Sequence, residues 1–192
     1  MNSQEEKTYF SLREEIRYNQ NQENVISTFT YTTCVAILAF AFGQENELAA
    51  LLAQLTLIPF SYKVGRFRDS IAYLASYLCV VIEPQINGTW EQDNCIYRKK
   101  YPYLKGLLVK ISRCDFLMLS IICILSGIWL IVKKSLLFSE TIYCIILLVA
   151  HIISVAVIIV FTIKYSDVGK MKNDKIDKWE KLKKDNQLVN RL

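Results

Sequence analysis

Apolar and polar positions in this chain are sorted into long blocks rather than interleaved. The first twenty-four residues are polar, and an apolar run then extends from Val25 to Gly43 with no charged residue between Glu23 and Glu45. A run of that length, at about 1.5 Å of rise per residue, matches a bilayer core of roughly 30 Å. A short polar turn, Gln44-Glu45-Asn46-Glu47, separates it from a second run, Leu48 to Tyr62, which Gln54, Thr56 and Pro59 make less apolar. A third run covers Phe116 to Val132 and stops at Lys133-Lys134. The fourth, Thr141 to Ile163, has 23 residues and no charge. The pattern predicts an all-α integral membrane protein with four transmembrane helices arranged as two hairpins.

The remaining segments carry weaker helical signals. Ser11-Leu12-Arg13-Glu14 has the form of a capping box and predicts a helix from about Leu12. Lys63, Arg66 and Arg68 close the second run. Ser70 to Ile82 then offers thirteen residues without charge, ended by Glu83-Pro84. That is short for a span and suits a buried or interfacial helix. Ile71, Leu74, Ala75, Leu78 and Ile82 fall on one helical face, with Tyr73 and Tyr77 beside it. A further helix is expected over Tyr103 to Arg113. In the tail, Met171, Ile176, Trp179, Leu182, Val189 and Leu192 form an interrupted apolar stripe. The chain therefore divides into an N-terminal segment (1–24), a first hairpin (25–62), a linker with the 70–82 helix (63–115), a second hairpin (116–163) and a charged helical tail (164–192).

Composition and charge sharpen this picture. Hydrophobic residues make up 53% of the chain and charged ones 21%, a combination that needs the segregation just described. Lys and Arg number three in 1–24, none in 44–47, nine in 63–115, two in 133–140 and nine in 164–192. The positive-inside rule then puts both termini and the linker in the cytoplasm. A fifth span at 70–82 would carry the nine-cation tail outside. Residues 1–23 have no apolar core of a signal peptide, so the first run is expected to act as signal and anchor. The plasma membrane of a prokaryote is the expected location.

Candidate chemistry is sparse. His151 is the only histidine, lies within the fourth run, and is with Gln54 the candidate intramembrane polar site. No run contains Asp, Glu, Lys or Arg, which counts against an ion-coupled transporter. Small residues four apart suggest close helix packing within each hairpin: Ala39 and Gly43, Ala49 and Ala53, Cys123 and Gly127, Ala150 and Ser154. The six cysteines include no C-x-x-C pair and read as inert thiols. Glu45 and Glu47 read as a solvated turn. Arg98, Lys99 and Lys100 are candidate contacts for anionic lipid headgroups. Asn87-Gly88-Thr89 fits a glycosylation sequon on the expected cytoplasmic side. Tyr73, Tyr77, Trp90, Tyr97, Tyr101 and Tyr103 make the linker aromatic-rich.

No phosphate loop, nucleophile elbow or zinc-protease helix occurs, so neither catalysis, a cofactor, a metal nor nucleic-acid binding is expected. An enzyme reading would need Arg66, Arg68, Asp69 and Trp90 to converge. In layout the chain resembles small bacterial membrane effectors attached to nucleotide-sensing defence systems, which join a few spans to short helical arms. That likeness is architectural and assigns no residue a role. The expected mode of action is self-association or partner binding in the bilayer, as a homo-oligomer, a membrane effector or a pore. The alternative is a small channel or transporter subunit with Gln54 and His151 lining a path.

Overall fold

The computed structural model describes residues 3–91, 93, 94, 96, 115–135 and 141–189. Among them the fold is all-helical, with no strand. The elements are α1 (Ser3–Gly43), α2 (Glu47–Tyr77), a π-helical turn (Leu78–Ile82), α3 (Glu83–Ile86), α4 (Asp115–Ser135), α5 (Thr141–Tyr165) and α6 (Val168–Val189). Four helical stretches, in α1, α2 with its extension, α4 and α5, are long and apolar enough to cross a membrane. The expected helix over Tyr103–Arg113, the Arg98-Lys99-Lys100 group, Cys95 and Cys114 lie outside the described residues.

Two expectations about helix ends are corrected. Helix α1 starts at Ser3, with Glu5 and Glu6 in its first turn, so Ser11 is interior and does not cap. Carboxylates there suit the positive end of the helix dipole. No Gly or Pro interrupts the helix before Gly43. Helix α2 runs from Glu47 to Tyr77, so residues 70–77 belong to the same helix as the second apolar run. Lys63, Arg66 and Arg68 change the polarity of the chain there, and both residue types are good helix formers. Charge marks a change of surroundings, and helicity passes through it.

The residues fall into two compact units. The apolar unit comprises 24–65 and 111–166. Its core joins Cys34, Leu38 and Ala41 of α1 to Ala49, Ala50, Ala53, Leu57 and Val64 of α2, with Phe116, Cys123 and Leu130 of α4 and Ile158 of α5. The α1–α2 turn is built by Glu45 in the left-handed region (φ 50°) and by Asn46, whose Oδ1 accepts from the Ala49 amide at 3.2 Å. An Asn in that place satisfies one of the amides that the first helical turn leaves free. The outer faces of α4 and α5 carry large side chains, among them Ile121, Leu125, Trp129, Ile145, Ile152 and Val160.

The charged unit comprises described residues within 1–23, 66–110 and 167–192. Its core is Ile16 of α1 with Ile71, Leu74, Ala75, Leu78 and Ile82. The five positions expected on one face of the 70–82 segment are thus buried together. The segment ends where Asn87 takes the left-handed conformation (φ 53°) that closes α3.

Gly65 shows how tightly the apolar unit is packed. A Cβ there would stand 2.7 Å from Cγ of the buried Tyr165 ring. Gly65→Leu is expected to lower stability by about 1–3 kcal/mol through overpacking. Thermal unfolding in detergent checks this. Gly43→Ala is the control, since nothing lies within 4 Å of a Cβ at that position.

Candidate functional site

A column of buried polar groups follows one face of α4 in the apolar unit. Phe116, Ser120, Cys123, Gly127 and Leu130 recur at spacings of three and four, which is what places them on one helical face, and all are buried. At the first polar level, Gln54 Nε2 of α2 donates to Ser120 Oγ at 2.7 Å. At the next, Cys123 is buried in the same core cluster as Cys34 of α1. Cys34 Sγ also lies 3.5 Å from the Ala53 carbonyl and 3.5 Å from Thr56 Oγ1. One turn further, the ring of His151 from α5 lies against Gly127, where a Cβ would come within 2.7 Å of its Cε1. Gly127 is therefore needed for close approach.

The expected site residues do not all converge. Gln54 and His151 are both fully buried. They occupy different levels: Gln54 meets Ser120, and His151 meets Gly127, seven residues or about 10 Å along α4. Among the described residues, neither ring nitrogen of His151 has a hydrogen-bond partner, nor does Oε1 of Gln54. Ser154 returns its hydroxyl to the carbonyls of Ala150 and His151. Of the small-residue pairs, Ala49, Ala53, Cys123, Gly127 and Ser154 are buried and Ala150 is half-buried. Ala39 and Gly43 are exposed and do not pack within the hairpin. The inward face of α1 is instead Thr30, Cys34, Leu38 and Ala41.

The hairpin turn is solvated at Glu45, whose side chain is 59% exposed, and closed at Glu47. Lys133 pairs with Glu45 and Lys134 with Glu47, and the Glu47 side chain is 4% exposed. Lys134 also lies 5.4 Å from the centroid of the Tyr143 ring. These ion pairs join positions more than eighty residues apart. The signal for them was that each outer end carries two adjacent or alternate charges of one sign.

The charged unit holds a second polar cluster, centred on Glu91. Its carboxylate accepts from Arg13 at 2.7 Å and from Lys172 at 2.6 Å, and its amide donates to Glu83 Oε1 at 2.8 Å. Glu83, Glu91 and Lys172 are all buried. Arg13 also lies over the rings of Trp90 and Tyr9. Helix α6 docks through Lys172, Lys175 bonded to Asp69 at 2.8 Å, Trp179 against Tyr73 and Tyr77, and Lys183 donating to the Val80 carbonyl at 3.4 Å. Of the expected apolar stripe of the tail, Met171, Ile176 and Trp179 are half-buried and Leu182 is exposed, a correction at that position, and Lys172 and Lys175 share the inward face. Arg68 pairs with Glu23 at 2.6 Å and Asp69 with Lys175, while Trp90 is exposed. Arg68 and Asp69 are thus committed to separate ion pairs.

Among the described residues, no three His, Cys, Asp or Glu side chains group to hold a metal. No protein-family model, curated protein or solved structure matches the chain.

Two measurements separate the clusters by their energetics. Glu91→Gln removes the charge between Arg13 and Lys172, and breaking a buried pair in this way costs about 3–5 kcal/mol. Lys175→Met, at a more exposed pair, is expected to cost at most about 1 kcal/mol. Denaturant unfolding of both variants in detergent checks the contrast. His151→Leu removes two buried nitrogens that have no partner, so stability is expected to hold or rise by about 1 kcal/mol. A fall of that size or more would give the imidazole a polar role in the fold.

Proposed function

We propose that this chain is a multi-pass membrane protein that acts by self-association, with α1 as the assembling helix and both termini on the cytoplasmic side. The observation that carries the reading is a contrast between helix surfaces. The exposed face of α5 presents Ile142, Ile145, Ile146, Val149, Ile152 and Ile153, and that of α4 presents Ile121, Ile122, Leu125 and Trp129. Bulky branched surfaces of this kind suit acyl chains. The exposed surface of α1 carries Val25, Phe29, Val35, Phe40 and Phe42 too, but between them runs a row of small residues, Thr28, Thr32, Ala36, Ala39 and Gly43, at spacings of four, four, three and four. Small residues in such a row let two backbones come close, the main source of helix association where no hydrophobic drive operates.

Association is the general activity, and a membrane effector or oligomeric pore is its specific form. The cytoplasmic placement of the termini rests on the distribution of Lys and Arg, nine each in the linker and the tail against two in 133–140. Catalysis is not part of the proposal. The alternative, a small channel or transporter subunit, draws on the unpartnered nitrogens of His151. In a cysteine-free background, Gln54→Cys and His151→Cys would then be labelled by water-soluble thiol reagents.

Gly43→Leu tests the main reading without disturbing the protomer, since Gly43 has open space around it. Combined with Thr32→Leu, it is expected to shift the protein from oligomer to monomer in native-lipid discs, read by mass measurement. An unchanged mass distribution would overturn α1 as the assembling surface.

A further inference from the structure

We propose that helix α6 is a strap whose inward face exchanges its docking site in the charged unit for the anionic headgroups of the bilayer. The face is set by spacing: Lys172, Lys175 and Trp179 recur at three and four and so lie together. Val168, Met171 and Ile176 are half-buried with them. Lys183 continues the row one turn on, where it is exposed and still reaches the Val80 carbonyl at 3.4 Å. The four carboxylates of α6, Asp174, Asp177, Glu180 and Asp185, are all exposed. Acids are thus confined to the outer side, and the inward face is cationic and apolar.

Each partner of that face has a counterpart in a headgroup layer. Lys172 bonds to Glu91 at 2.6 Å and Lys175 to Asp69 at 2.8 Å. Phosphate oxygens offer the same charge-assisted acceptors. Trp179 packs on the rings of Tyr73 and Tyr77, with centroids 5.6 and 5.2 Å away, and an indole settles readily at a membrane interface. The Val80 carbonyl accepts from Lys183 as a lipid ester carbonyl would. A helix with lysines among Trp and aliphatic side chains on one side and acids on the other is suited to lie in the plane of an anionic surface.

Release leaves no bare charge behind. Glu91 is held by two cations, so it keeps Arg13, at 2.7 Å, when Lys172 withdraws. Lys172 itself passes from one anion to another. Only Ser166 and Asp167 separate α6 from α5. Where α5 crosses a bilayer, as proposed above, α6 begins at its surface, and the strap rests on that placement and not on self-association. Each lysine near an anionic surface favours the bound state about fivefold over a neutral surface, so Lys172 and Lys175 together favour it on the order of thirtyfold.

The test uses the full chain in lipid nanodiscs, with the exposed Trp90 and Trp129 replaced by phenylalanine so that Trp179 is the only tryptophan. Quenching of its fluorescence by lipids brominated high on the acyl chain is compared between discs of phosphatidylcholine and discs of equal parts phosphatidylcholine and phosphatidylglycerol. Quenching is expected to be several-fold stronger in the anionic discs. It is expected to be stronger again in Asp69→Asn, which loses a docking partner of α6 but none of its lysines. Equal quenching in the two discs, or no gain in Asp69→Asn, would overturn the strap. A companion chain that keeps only Trp129, exposed on α4, is expected to be quenched alike in both discs. If Trp129 escapes quenching, the chain lies outside the bilayer and the strap falls with that reading. If Trp129 is quenched while Trp179 does not respond to lipid charge, the strap alone falls.

Discussion

Inside an apolar core, a polar side chain has only the protein to bond to, and the apolar unit is organised by that scarcity. Gln54, Ser120, Cys34, Cys123 and His151 are withdrawn to one buried face of α4. The withdrawal works because α4 is thin there: Gly127 leaves room for an imidazole, and Ser120 accepts the Gln54 amide. Bulk is moved to the opposite face, where Ile121, Leu125 and Trp129 stand exposed. On α5 the polar His151 and Ser154 are likewise buried, beside Leu147 and Ile158, while Ile145, Ile152 and Val160 stand exposed. Helix α1 departs from this pattern by presenting small residues outward as well, and the functional proposal rests on that departure.

The four apolar helices could be read from uncharged runs of 19, 15, 17 and 23 residues, paired across short polar turns, because runs near the length of a bilayer crossing have few other uses. Helix boundaries were less visible. Charges at Lys63, Arg66 and Arg68 look like an end, yet α2 runs through them, and through Pro59 and Gly65 as well. The capping box at Ser11 failed for a related reason: a capping motif satisfies amides only where the preceding residues are non-helical, and residues 3–10 are helical. The inner face of α1 was misassigned because Ala39 and Gly43 match a packing pattern by type. Which face turns inward was decided by the row of Thr30, Cys34, Leu38 and Ala41.

The polar clusters were harder still to foresee. Gln54 and His151 stood out as rare polar residues, but their partners Ser120 and Gly127 are ordinary members of an apolar run. Glu91 and Lys172 lie eighty-one positions apart and carry no local sign that they will be buried. Their burial follows from three segments meeting, and local spacing does not report such meetings. The docking of Lys172 and Lys175 on α6 has the same origin, since their partners Glu91 and Asp69 lie far back along the chain.

The ion pairs at the hairpin ends bear on the order of assembly. Glu45 and Glu47 emerge from the ribosome well before Lys133 and Lys134, and chains fold in step with synthesis from the N-terminus. The first hairpin can therefore form while its carboxylates still lack their lysines. Burying Glu47 is costly until Lys134 arrives, because an unpaired buried charge is strongly unfavourable. The Glu47 carboxylate therefore gains its partner only once the second hairpin, whose α4 ends in two lysines, has been made, so the late-made half of the protein completes the early-made half.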